Sequence, residues 1–356
     1  MNERERALDH KCPSCGGKCV FEPKIGKWKC EYCKSEFDLD TLQKHNNASS
    51  EENNKETDKD VDTSYVEYHC KNCGAKIVAD EQTAATFCIY CGNTAILKSK
   101  LSGKFAPSMI IPFMKTKEDA VNAFKGLSKG RPLMPKFFND PKNIEKIRGV
   151  YIPFWLYSLK CRGQLSASAQ RITTWVSGDY SYTKTDSYKV DRDATMDYNR
   201  VPVDGSTRFD DDIMNTIEPF DYSKLVKYNH AYLSGFLAEK YDVETETALE
   251  DAKKRALSST KDTLLGSMNY TTKKIISENY ENVVKKTEYV LLPVWMVNVK
   301  YNDKFYTFAM NAQSGEFVGN IPINKKKAVI MSILIFLGVA AFVILVSYIA
   351  YMGGVS

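Results

Sequence analysis

Residues 12–33 read CPSCGGKCVFEPKIGKWKCEYC, and residues 70–91 read CKNCGAKIVADEQTAATFCIYC. Adding 58 to Cys12, Cys15, Cys30 and Cys33 gives Cys70, Cys73, Cys88 and Cys91, so the spacing CxxC-x14-CxxC occurs twice. The context repeats with it: Gly16 and Gly74, Lys18 and Lys76, Tyr32 and Tyr90 stand at matching places. This is an internal duplication.

A CxxC segment makes a tight turn whose backbone amides point at sulfur. Two such turns on neighbouring hairpins close a tetrahedral four-sulfur site with no open position. Each unit has about 30 residues, too few for a core alone to sustain folding, so metal would supply most of the folding free energy. Eight ligands follow, Cys12, Cys15, Cys30 and Cys33 for one Zn2+ and Cys70, Cys73, Cys88 and Cys91 for a second. An iron site of the rubredoxin kind would use the same four sulfurs. A disulfide framework is the competing reading. The charged N-terminus MNERERALDH has no apolar stretch to serve as a signal peptide, so a reducing compartment is expected. Cys19 and Cys161 are left over and read as small buried hydrophobes.

Outward from the repeats, the chain divides by composition. Residues 1–40 form the first zinc ribbon, 41–65 a flexible linker with three lysines against six acids, and 66–100 the second ribbon. Residues 101–324 read as a sheet-rich α+β domain. There, Thr116 and Asp119 form a capping box opening a helix through Phe124 and Leu127. The runs YIPFWLYSLK (151–160) and LLPVWMVNVK (291–300) read as buried strands entered through a proline. Alternation over Arg171–Val176 and Tyr180–Val190 predicts antiparallel strands, with turns at Asn302-Asp303 and Ser314-Gly315 further on. A long helix is expected over Glu244–Leu265, its basic cluster Lys253–Arg255 on a solvated face. Asp210-Asp211-Asp212 reads as a solvated loop and His230 as a structural residue.

Residues 328–352, AVIMSILIFLGVAAFVILVSYIAYM, carry no charge and follow Lys325-Lys326-Lys327. At 1.5 Å per residue they make a helix of about 38 Å, enough to cross a hydrocarbon core of about 30 Å with some tilt. The lysines place that flank in the cytoplasm, so residues 325–356 read as a single-pass tail anchor with the bulk cytoplasmic and the C-terminus outside. The mean hydropathy of −0.37 excludes a multi-spanning transporter.

Composition also narrows the chemistry. The 356 residues hold 49 Lys plus Arg against 44 Asp plus Glu, which excludes polycations of the histone kind. No GxxxxGK[ST], HExxH, GxSxG or GxGxxG occurs, and the four histidines are too few for an evident His-based site, so no enzymatic activity is expected. Residues 1–40 carry eight basic and eight acidic groups, and 66–100 carry four against three. Phosphate-gripping surfaces cluster cations with stacking aromatics. Only Lys24, Lys27, Trp28 and Lys29 do so here, hence protein contact is favoured over nucleic acid.

The ribbons, the two proline-entered strands, YLSGF through AEKYDV (Tyr232–Val243), MNAQSGEFVGNIP (Met310–Pro322) and the terminal apolar helix resemble a family of Gram-positive bacterial zinc-ribbon membrane proteins. These are encoded beside phage-shock-type envelope-stress genes and often catalogued as primosomal-helicase-like or transcription factor IIB-type zinc-ribbon proteins. The resemblance implies a membrane-anchored adaptor that recruits cytoplasmic proteins, flotillin-like or phage-shock protein A-like ones among them, in envelope stress. The alternative is a membrane-tethered nucleic-acid-binding zinc protein linked to replication or transcription. The ATPase motifs that a helicase needs are missing.

Overall fold

The structure, a computed structural model, describes residues 10–48, 65–69, 76–80, 83–87, 94–96, 106–127, 129, 131–135, 140–144, 146–302 and 304–353. In chain order the elements are β1 (Cys19–Glu22), β2 (Lys27–Cys30), β3 (Glu36–Phe37), α1 (Leu39–Ala48), β4 (Tyr65–His69), β5 (Lys76–Asp80), β6 (Thr83–Phe87) and β7 (Thr94–Ile96). Then come β8 (Met109–Ile110), α2 (Lys117–Gly126), α3 (Pro141–Ile144), β9 (Arg148–Ser177), β10 (Tyr180–Asp204), α4 (Asp211–Thr216), β11 (Val226–Lys227) and β12 (Leu237–Glu239). The chain closes with α5 (Thr245–Gly266), β13 (Thr272–Tyr301), β14 (Lys304–Asn311), β15 (Phe317–Gly319) and α6 (Lys325–Gly353). This is a mixed α+β molecule with a sheet-rich body.

The two proline-entered runs are neighbours. β9 and β13 pair antiparallel, Pro293 opposite Tyr151 and Leu291 opposite Pro153. Their apolar residues are continuous because both faces are covered. Tyr151, Trp155 and Tyr157 enter one core with Phe236, Tyr241 and Leu291. Ile152, Phe154 and Leu156 enter the other with Ile213, Phe220 and Leu292. α4 covers that second face. Asp210 caps it, its carboxylate accepting from the amides of Asp212 and Ile213, so the triple acid expected as a solvated loop is a helix start that suits the macrodipole.

Beyond this doubly covered region, β10, β9 and β13 run on as a long three-stranded antiparallel ribbon. Its faces differ. Leu165, Ala167, Ala169 and Val190 meet Leu264 of α5 and Met268 just past its end, while Arg162 and Gln164 both donate to the Asp193 carboxylate on the open side. The buried face of α5 is Ala248, Ala252, Ala256, Thr260 and Leu264, at a spacing of four and small at every position but the last. They allow close approach: a Cβ on Gly163 would meet Thr260 Cγ2 at 2.7 Å. In the basic cluster, Lys253 and Lys254 pair with acids on the same helix. Arg255 is no solvated charge, since it donates to the Pro202 carbonyl at 2.8 Å and to Glu218 at 3.1 Å.

At the far end the β9–β10 hairpin turns through Gly178 (φ 60°), with Ser177 opposite Tyr180. At the near end β13 turns into β14, Tyr301 opposite Lys304. α2 opens on the expected capping box, with Thr116 Oγ1 accepting from the Asp119 amide and the Thr116 amide donating to the Asp119 carboxylate.

Two features differ from a string of modules. α1 runs to Ala48 and fully buries Leu42 in the core shared with Trp28 and Cys30, so the first module continues past residue 40 into what reads as linker. The strands β6 and β7 join the main sheet, Ala85 of β6 lying opposite Ala238 of β12.

Candidate metal centre

The first cysteine module is a three-stranded sheet, β1-β2-β3, with Cys19 opposite Cys30 and Lys29 opposite Glu36. Its two CxxC turns share one geometry. The Gly16 amide donates to the Cys12 carbonyl at 2.9 Å, and the Lys34 amide to the Cys30 carbonyl at 3.1 Å. Both donors have left-handed backbone, φ 71° at Gly16 and φ 62° at Lys34. These turns bring Cys12, Cys15, Cys30 and Cys33 together, all four Sγ within 4.8 Å of one another. Cys12 lies 3.6 Å from Cys33, and Cys15 lies 3.5 Å from Cys30. A tetrahedron with metal–sulfur bonds near 2.3 Å has edges of about 3.8 Å, whereas a disulfide needs about 2.05 Å. The four sulfurs therefore fit one metal ion and not a pair of disulfides.

The thiols compete for protons in that cluster. Despite the Gly17 amide, which lowers it, contact with Cys33 and Cys30 pushes the Cys15 thiol up to about 12. Cys33 is brought down to about 6, first by the Ser35 hydroxyl and then by the Ser35 backbone amide. Cys12 and Cys30 are buried, Cys15 and Cys33 exposed. Cys19 lies alongside, 1% exposed, its thiol raised first by burial and then by Cys12. Cys161 is buried in β9. Both spares match their reading as small core residues.

Cys70, Cys73, Cys88 and Cys91 lie outside the described residues. The strands that flank them are described, and they carry the duplication into three dimensions. Lys11 bridges Lys18 across the first CxxC, and Lys29 pairs with Glu36 across the second. Shifted by 58, these become His69 opposite Lys76 and Phe87 opposite Thr94, which are the pairs observed.

The aromatic and basic run of the first module is spent internally. Trp28 is 2% exposed and donates its Nε1–H to the Ala231 carbonyl at 2.8 Å. Its ring and that of Phe21 both meet Tyr232, and the Phe21 amide donates to the Ser234 carbonyl. Lys24, Lys27 and Lys29 lie against Glu118, Asp38 and Glu36. The receiving segment, 230–239, also holds β12, to which β6 pairs. Sequence reasoning missed this shared platform. Its one local signal is Gly235 in SGF, at φ 96°, where a Cβ would press to 3.3 Å from Val20.

At the other end of the chain α6 is long and apolar enough to cross a membrane, at about 43 Å for its 29 residues. Phe336 is 72% exposed and Ile344 69%.

No family model matches the chain, and no solved structure matches it. Among curated proteins, the uncharacterized protein YdjG of Bacillus subtilis (strain 168) is 35% identical over 322 residues, spanning 90% of this chain and 92% of the relative. A match of that identity over nearly the full length of both chains places this chain in the YdjG family.

Proposed function

We propose that the chain is a single-pass membrane adaptor whose zinc ribbons present a docking face to cytoplasmic proteins. Zinc is the metal that four cysteines at tetrahedral spacing with no open position suit best, and a structural role follows from that closure. The duplication extends the same reading to a second ion at Cys70, Cys73, Cys88 and Cys91. α6 serves as the anchor, its lysine flank and the body on the cytoplasmic side. Envelope stress is the proposed setting, with flotillin-like or phage-shock protein A-like partners.

One observation carries the choice of protein over nucleic acid. Trp28, the stacking aromatic that a nucleic-acid reading needs, is buried against Ala231, and the lysines beside it lie against acids. Tyr32 instead points outward, 74% exposed between Cys30 and Cys33, an amphipathic anchor of the kind enriched at protein interfaces.

The test uses the full chain in nanodiscs as bait for membrane and cytoplasmic extracts. A protein that binds the wild type after nuclease treatment and in high salt, and is lost with Tyr32→Ala, is the expected result. Tight DNA binding with a steep salt slope, and no Tyr32-dependent protein, overturns the adaptor reading.

A further inference from the structure

The sequence contains no acid between Asp119 and Asp140, and none after Glu316. Among the described residues the first interval holds Lys125, Lys129 and Arg131, and the second opens its helix with Lys325–Lys327. The fold brings these two acid-free stretches together. The Asn324 amide donates to the Leu133 carbonyl at 2.9 Å, and Lys327 Nζ donates to the Met134 carbonyl at 3.3 Å. The Met134 amide in turn donates to the Arg131 carbonyl, closing the loop against the start of α6. Lys125, Lys129, Arg131, Lys325 and Lys326 are all exposed.

We propose that this loop and the first turn of α6 form a basic collar that binds anionic phospholipid head groups around the anchor. The proposal rests on reading α6 as a membrane anchor. Charge is its physical content: the chain as a whole is only +5, yet the described residues of these two stretches carry six cations and no acid. Their complement is an anionic bilayer surface, which an anchor starting at Lys325 sets within a few ångströms of the loop. At an anionic surface each such cation gains roughly fivefold in occupancy, about 1 kcal/mol. Two hydrogen bonds, from Asn324 just before the helix and from Lys327 in its first turn, hold the loop beside the start of α6.

The full chain is reconstituted into vesicles of phosphatidylcholine alone and of phosphatidylcholine with about a third phosphatidylglycerol, then acylated at lysine and read by mass spectrometry. Lys129 is the reporter. Lys184, exposed near the distant hairpin turn, is the internal control. Expected is labelling of Lys129 roughly fivefold slower in the anionic vesicles, with Lys184 unchanged and the protection removed by high salt or by Arg131→Glu. Equal labelling of Lys129 in both vesicles, with the chain resistant to alkaline extraction, overturns the collar and leaves the anchor standing. Release of the chain by alkaline extraction overturns the anchor reading and this proposal with it.

Discussion

Asp204 ends β10, 9% exposed as a residue, with one buried carboxylate oxygen, Oδ2, without a hydrogen-bond partner. Burial first, and the nearby charge of Asp211 second, push its pKa up to about 7, against the opposing pull of Arg255. The unfolded chain ionises this group near 3.8. Between about 4 and 7 the folded state therefore holds a proton that the unfolded state lacks, and stability falls as pH rises through that window. Asp204→Asn removes the effect. It should stabilise the solubilised chain by ~1–3 kcal/mol at pH 8, below the full linkage value because water reaches part of the site. The gain should shrink on acidification and vanish near pH 4, as read from urea midpoints across pH. An Asn variant less stable than wild type at pH 8 would refute the account.

At the scale of elements, the first cysteine module holds together through its ligands and through one docking contact. Beyond the sulfurs its buried side chains are few, chiefly Phe21, Trp28 and Leu42, so a metal held by the four cysteines would contribute most of its folding free energy. Chelation should unfold β1–β3 and pull Trp28 away from Ala231 and Tyr232. A red shift and loss of Trp emission on metal removal is expected, absent in Trp28→Phe, while Trp155 and Trp295 stay bonded to Val243 and Lys115 in the body. Emission that stays constant after full metal loss would show the module folding on its own core. This element was legible in the sequence because its signal is local: ligands three apart and a repeat of 58. The capping box of α2 was legible for the same reason, two residues three apart. What stayed hidden was non-local. Nothing in Trp28 announces that a carbonyl 203 residues away accepts its N–H, and β6 pairs with a strand more than 150 residues on. Such contacts leave no period to read, so the module looked like a bead on a linker.

At the scale of the molecule, strand register fixes where α6 leaves the sheet. Gly319 lies opposite Phe308, Phe308 opposite Val297, and the adjacent Met296 opposite Arg148, the first residue of β9. α6 begins six residues after Gly319, at the end of the sheet opposite the Ser177–Tyr180 turn. The 30 residues of β9 reach roughly 100 Å when straight, a span the sequence showed only as separate short runs because Gly163 and the polar face interrupt its pattern. The fold thus has an α6 end and a distal end, and the sheet is complete before α6 starts. Most of the large apolar residues along α6 are more than half exposed, Leu334 and Phe342 among them, a surface that needs an apolar medium to cover it. Among the described residues few contacts cross from α6 into the body, Lys327 to Met134 being one. Removing residues 325–356 should therefore leave a chain that stays in the aqueous fraction after cell breakage, with its metal content and Trp28 emission unchanged. The full chain should sediment with membranes and resist alkaline extraction. Loss of metal or aggregation of the truncated chain would mean that α6 completes the body's core, and the anchor reading would fall.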